Sequence, residues 1–361
     1  MQPDTPPWAA APAARARAFC QRFGLQHPIL LAPMAGACPP ALSIAVAQAG
    51  GLGACGALLM APAAITAWAD TLRAATAGPF QINLWVPDPA PQRSAAHEQA
   101  VCDLLDAWGP TTTPAAGDAR PLDFDAQCAA LLAVKPAIVS SVMGLFPPAF
   151  VQQLKAAGIS WWANISTVAE ALAAEAAGAD VVVAQGMEAG GHRGCFDASL
   201  AEAQQVGLIA LLPAVADAVR LPVVATGGIA DARGVAAAFV LGASAVQVGT
   251  GFLRTPEAGL PAAWAAALGQ TQPEGTRLTR AFSGRAGRSL ANAYVLAASG
   301  AGAPLPAPYP VQRGLTAAMR QQAVAAGDLQ RMQAWAGQAA RLAPALPAAQ
   351  VLQQLAKGVP T

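Results

Sequence analysis

The stretch VVVAQGMEAGGHRG, residues 181–194, decides the fold. It opens on an unbroken apolar run rich in valine, the character of a parallel strand buried on both faces. It then passes at once into a glycine-rich loop that holds Gln185, Gly190, Gly191 and His192. Glycine lets the backbone approach a ligand closely, and a glutamine side chain offers both a donor and an acceptor. His192 is one of three histidines in the chain. A loop imidazole accepts a proton near neutral pH or, when charged, holds an anion. A buried strand leading straight into such a loop is the pattern of the C-terminal rim of an α/β barrel.

Working outward, the same unit recurs on both sides. Downstream, PVVA (222–225) runs into TGGIA and a helix over 231–241, and AVQV (245–248) runs into Gly249 and Thr250. Upstream, strands are expected at 28–33, 52–55, 80–84, 137–140 and 159–163, with helices at 39–49, 62–75, 147–157 and 168–177. About eight strands alternating with helices mean a doubly wound sheet or a barrel. The glycine turns follow the late strands, where barrels place phosphate sites, and this favours a (β/α)8 TIM barrel over residues 25–255. Gly227, Gly228, Gly249 and Thr250 offer backbone N–H groups beside helix starts, a nest for a phosphate. Residues 1–24 are read as an N-terminal arm, and 86–120 as a surface excursion with a helix around His97–Trp108. Residues 256–361 are read as an additional C-terminal helical cap domain over the barrel mouth.

Composition narrows the function. Apolar residues make up 55% and charged residues 11%, and the formal net charge is +1 with no basic block. Nucleic-acid sites need clustered Lys and Arg, so no nucleic-acid partner is expected. The six cysteines show no CxxC spacing, which reads as reduced thiols and no metal site. The start of the chain lacks an apolar signal core, and no apolar run reaches membrane-spanning length. A cytoplasmic protein with no membrane partner is expected.

Other motifs stay open or bland. GLGACG (51–56) is a formal GxGxxG, but a helix precedes it and no acidic residue lies about twenty positions on, so a structural turn is favoured. Glu188 either orients His192 or is a solvated loop charge. Cys195 could pair with His192, with packing the default. In FSGRAGR (282–288), Arg285 and Arg288 hold an anion or pair with acids; taken alone, surface salt bridges are favoured.

In order, PILLAPMAG (28–36), AGGLG (49–53), QINLW (81–85), QGMEAGGHRG (185–194), ATGGIAD (225–231), QVGT (247–250) and FSGRAGR (282–288) together resemble the nitronate monooxygenase family, formerly the 2-nitropropane dioxygenases, over about residues 25–300. The resemblance implies a TIM barrel with non-covalent FMN. It places Ala32, Pro33 and Met34 beside the flavin and Asn83 and Gln185 in hydrogen bonds to it. Gly190, Gly227, Gly228, Gln247, Val248, Gly249 and Thr250 are to line its phosphate and ribityl chain. His192 falls on the family's catalytic histidine, base for neutral nitroalkanes and partner to the nitronate; Ser283 is assigned to the substrate. The implied reaction oxidises an alkyl nitronate such as propionate 3-nitronate with O2 to a carbonyl compound and nitrite. FMN-dependent NAD(P)H reductases of the enoyl-ACP or quinone type look similar and stand as the alternative. A homodimer is left open. Two departures, Cys38-Pro39-Pro40 and Trp161-Trp162, are expected to reshape the pocket.

Overall fold

The computed structural model describes residue 8 and residues 10–361. Its strands are β1 (Ile29–Leu31), β2 (Gly53–Gly56), β3 (Phe80–Trp85), β4 (Ile138–Val142), β5 (Ser160–Ile165), β6 (Val181–Gln185), β7 (Gly191–His192), β8 (Val223–Thr226), β9 (Ala245–Val248), β10 (Thr276–Thr279) and β11 (Gly287–Leu290). Eight of them form one parallel sheet in the order β1-β9-β8-β6-β5-β4-β3-β2. A parallel bridge between Leu30 and Leu52 joins the two edges, with Leu31 N–H donating to the Leu52 carbonyl at 2.9 Å. The sheet therefore closes on itself, and the (β/α)8 barrel is as expected.

The strand alternation divides the barrel interior into two zones. Leu30, Leu52, Ile138, Trp162, Val181, Val183, Val224 and Ala245 form an apolar cluster toward the strands' N-terminal ends, completed by Phe19. Phe19 belongs to the helix Pro12–Phe23, so the segment read as an N-terminal arm plugs that end. Phe19 and Phe23 lie 5.6 and 5.0 Å from the Trp162 ring. Arg15 of the same helix donates to the carbonyls of Ala243, at 3.2 Å, and Phe239. Toward the C-terminal ends the inward residues turn polar. Gln81 Nε2 donates across the barrel to Gln247 Oε1 at 3.1 Å, and Asn83, Ser140, Asn164, Gln185 and Thr226 are buried with them. The closed end is apolar; the open end carries the hydrogen-bonding groups.

The tryptophan pair does not reshape the pocket, contrary to expectation. Neighbouring residues of a strand face opposite sides. Trp161 points into the helix layer, its indole N–H donating to Ser141 Oγ at 3.1 Å, and Trp162 fills the plugged end. Both are fully buried.

The C-terminal extension differs in one respect from the helical cap expected. It contains the antiparallel β10–β11 ribbon, and β11 pairs with β7, matching Gly287 to His192 and Arg288 to Gly191. These strands are only two to four residues long, too short for a legible alternation. The cap also has two sources. Val101, Cys102 and Leu105 from the 86–120 excursion share one core with Phe282, Tyr294, Val311, Leu315 and Met319. The terminal helix Ala348–Ala356 returns to the barrel wall, where Val351, Leu352 and Leu355 join the main core.

Candidate active site

Between the polar end of the barrel and the cap lies a cavity of about 660 Å³. That lies within the ~300–1,000 Å³ range of small-molecule sites. Its floor carries Asn83, Asn164, Gln185 and Gln247; one wall is the Ala32–Met34 turn; another is built by Gly190, Gly227, Gly228, Gly249 and Thr250; and His192 stands on the cap side. The structure thus brings most of the sequence-derived candidates to one place.

Two candidates lie elsewhere. Val248 does not line the cavity: its side chain packs in the barrel's outer core, and its carbonyl accepts from Ala32 N–H at 2.9 Å. Ser283 is 1% exposed and sits behind the imidazole, so the assignment to substrate is corrected to one of support. Its hydroxyl lies 2.7 Å from His192 Nε2 and donates to the Arg285 carbonyl at 3.2 Å.

The glycine wall is built for close approach. Gly227 and Gly228 have φ of 109° and 71°, a region that side chains disfavour. Their amides donate to no protein acceptor among the described residues. A Cβ on Gly190 would fall 2.5 Å from the Gly337 amide nitrogen, so this contact between loop and C-terminal segment admits only glycine. The GLGACG segment is structural by the same test: a Cβ on Gly51 would fall 2.6 Å from the Ile29 carbonyl.

The loop 185–194 is held from below. Gln185 donates to the His192 carbonyl at 3.2 Å and accepts from Gly194 N–H at 2.8 Å. Both ends of its amide are therefore committed to the loop. Buried Arg193 clamps the Gln185 and Ser166 carbonyls at 2.5 and 3.2 Å. Asn83 donates through Nδ2 to Ser140 Oγ and its carbonyl at 3.0 and 3.1 Å. Cys38 braces the Ala32–Met34 turn, its thiol lying 3.2 Å from the Ala32 carbonyl and accepting from Met34 N–H at 3.4 Å. Its effect on the pocket is through that turn.

His192 sits between two indoles. The Trp85 and Trp335 rings each lie 4.8 Å away, edge-on. Burial, together with the charges of Arg285, Arg313 and Arg320, pushes its pKa down to about 3, so the ring is neutral at physiological pH. Its tautomer follows from its partner. A backbone carbonyl can only accept, so the Ser283 hydroxyl gives its proton to Arg285, and His192 Nε2–H donates to Ser283 Oγ. Nδ1 is left as the ring's acceptor.

The open motifs resolve as support. Glu188 accepts from Leu208 N–H at 2.9 and 3.1 Å and caps the helix Leu208–Ala218; it neither orients His192 nor stands free. Arg285 is 2% exposed and pairs with Asp88 at 2.8 Å. Arg288, also buried, donates to the Met187 carbonyl at 2.9 Å and Thr276 Oγ1 at 3.0 Å. The two arginines are therefore buried anchors, not surface salt bridges. Burial raises the Cys195 thiol above its ordinary pKa, and it packs with Ala201 and Ala286.

Sequence reasoning missed Trp85, Trp335, Arg313 and Arg320. Trp85 carried a signal, standing two residues past Asn83 on the same face of β3. The other three come from the extension, in segments without motif character.

Residues 17–358 match the family model described as nitronate monooxygenase. A nitronate monooxygenase of Paraburkholderia phytofirmans is 40% identical over 344 residues, 94% of either chain. A crystal structure of nitroalkane oxidase from Streptomyces ansochromogenes superposes with a TM-score of 0.85 at 38% identity, over 95% of this chain and 97% of that one. FabK from Thermotoga maritima gives a TM-score of 0.74 at 28% identity over 95% of each chain.

Proposed function

The chain belongs to the nitronate monooxygenase family, and on that footing we propose that it oxidises alkyl nitronates with O2 to a carbonyl compound and nitrite, using FMN. Flavin use is typical of the family. The observation that carries the reading is the neutral His192 imidazole on the wall of a cavity that is also lined by a glycine cradle with free amides.

The residues present fit FMN. Asn164 Nδ2 is a buried donor on the cavity floor with no protein partner, and such a group asks for a ligand acceptor. The amides of Gly227 and Gly228, with Gly249 and Thr250 beside them, suit a phosphate. Ala32, Pro33 and Met34 offer an apolar edge to a flat ring. Bound there, the flavin supplies the electron acceptor for the nitronate.

The chain's own part is positioning. Ser283 and Arg285 fix the imidazole tautomer; Trp85 and Trp335 fix its plane and exclude water. A ring whose pKa is pushed down to about 3 has little affinity for a carbon-bound proton. The site therefore favours nitronates already formed over neutral nitroalkanes, and propionate 3-nitronate is the substrate we assign. The test is oxygen uptake with nitrite release by the FMN-loaded enzyme. Turnover of propionate 3-nitronate supports the reading; oxygen uptake only with NAD(P)H rejects it.

A further inference from the structure

Arg285 joins three segments around His192. Its guanidinium donates to the Asp88 carboxylate and to the Cys195 carbonyl, both at 2.8 Å. Asp88 lies three residues beyond Trp85, on the chain leaving β3, and Cys195 lies three residues beyond His192. Arg285 itself sits in the turn between β10 and β11. It is 2% exposed, and no other carboxylate pairs with it among the described residues. Neither Asp88 nor Arg285 lines the cavity beside His192. Asp88 faces a second cavity, of about 730 Å³, which shares Leu58 and Trp85 with the first.

The turn Ser283–Gly287 otherwise carries only small side chains, so Arg285 supplies its one long anchor, and that anchor reaches both barrel loops. What depends on it is the Arg285 carbonyl, which accepts from the Ser283 hydroxyl at 3.2 Å. Ordinary O–H···O contacts end near about 3.0 Å, so a small displacement of this carbonyl breaks the contact. A hydroxyl that loses this acceptor turns to His192 Nε2, 2.7 Å away, and donates to it. The Nε2 proton then passes to solvent, Nδ1 takes one up, and the ring loses Nδ1 as its acceptor.

We propose that Asp88 is a positioning residue for His192: by holding the Arg285 guanidinium it keeps the Arg285 carbonyl in place for the Ser283 hydroxyl, and so keeps the imidazole in its Nε2–H form. Its effect on turnover rests on the nitronate reading above. The carboxylate suits the task in two ways. A buried guanidinium stripped of its partner is costly, and a charge-assisted hydrogen bond is roughly twice as strong as a neutral one. The same pair also tethers the chain just past Trp85, whose ring bounds the imidazole edge-on at 4.8 Å.

The experiment uses the FMN-loaded enzyme with Asp88→Asn and Asp88→Ala, each alone and combined with Ser283→Ala. It reads kcat and KM for propionate 3-nitronate, and the nitrogen NMR shifts of labelled histidine, which separate a protonated ring nitrogen from a bare one. The chain has three histidines, and His192→Asn identifies the signals of His192. The parent is expected to show the Nε2–H form alone. Both Asp88 variants are expected to show the Nδ1–H form as well, with kcat down about fivefold and with KM and FMN affinity unchanged. In the Ser283→Ala background the Asp88 substitutions should add no further loss, because the link they act through is already cut. Losses that multiply, or His192 signals identical to those of the parent, overturn the proposal. So does a loss of FMN affinity with kcat intact. Asp88→Asn keeps the shape of the side chain and an acceptor oxygen, and it decides the test if Asp88→Ala fails to fold. If the parent enzyme oxidises no nitronate, the nitronate reading fails; the His192 signals still decide the role of Asp88.

Discussion

His192 Nε2 and Ser283 Oγ lie 2.7 Å apart, and the contact joins the two halves of the molecule. The imidazole comes from the loop after a barrel strand, the hydroxyl from the turn of the cap ribbon. The β7–β11 pairing brings them into register by setting Gly287 against His192. The cap is thereby part of the site, because it fixes how the imidazole is presented.

Ser283→Ala should leave FMN bound and the fold intact while freeing the imidazole to change tautomer and rotate. One hydrogen bond of this kind is worth roughly 1 kcal/mol, so kcat/KM on nitronates should fall about five- to tenfold. Ser283→Thr restores the hydroxyl and should recover most of it. A loss equal in both variants would assign the effect to packing.

His192→Asn should also keep the cofactor, since the glycine cradle does not depend on it. Residual activity on neutral nitroalkanes should disappear, while preformed nitronates, which need no proton removed, should retain measurable turnover. Full activity of the variant on neutral nitroalkanes would remove His192 from any role as a base.

The depressed His192 pKa has a consequence for stability. The unfolded chain takes up this proton near the ordinary value of 6.5, and the folded chain only at about 3. Between those values the unfolded state binds more protons, so the contribution is complete above about 6.5 and is lost as pH falls through the window. The slope is at most ~1.4 kcal/mol per pH unit for one proton. Urea unfolding between pH 7 and 4.5 should show a shallower loss for His192→Asn than for the parent. Parallel curves would contradict the buried neutral state.

Trp162→Ala tests the plugged end separately from the site. The ring is fully buried against Phe19 and Phe23, and truncating a buried aromatic costs about 3–5 kcal/mol. Denaturation should register that loss while FMN affinity in the still-folded protein stays within a few-fold.

The barrel was legible because its evidence is local and repeated. Each strand is a short apolar run, and the loops after β6, β8 and β9 carry their glycines in sequence. The cavity's inner face was legible for the same reason, since Gln185, Gly227 and Gln247 end consecutive units. The supports of His192 were not. Trp335 reaches the imidazole from irregular chain, Arg313 and Arg320 lie in a segment whose cap packing is long-range, and Ser283 was read as a substrate contact, whereas its hydroxyl lies against His192 Nε2. The tryptophan pair, expected to reshape the pocket, does not reach it, because strand alternation sends one ring outward and the other to the closed end.

The most direct measurement is an anaerobic titration of the FMN-loaded enzyme, following flavin absorbance with propionate 3-nitronate and, separately, with NADH and NADPH. The expected result is loss of the flavin absorbance on adding the nitronate and little change with either nicotinamide nucleotide. Bleaching by NADH or NADPH with no response to the nitronate would contradict it, as would a protein that stays colourless after incubation with FMN.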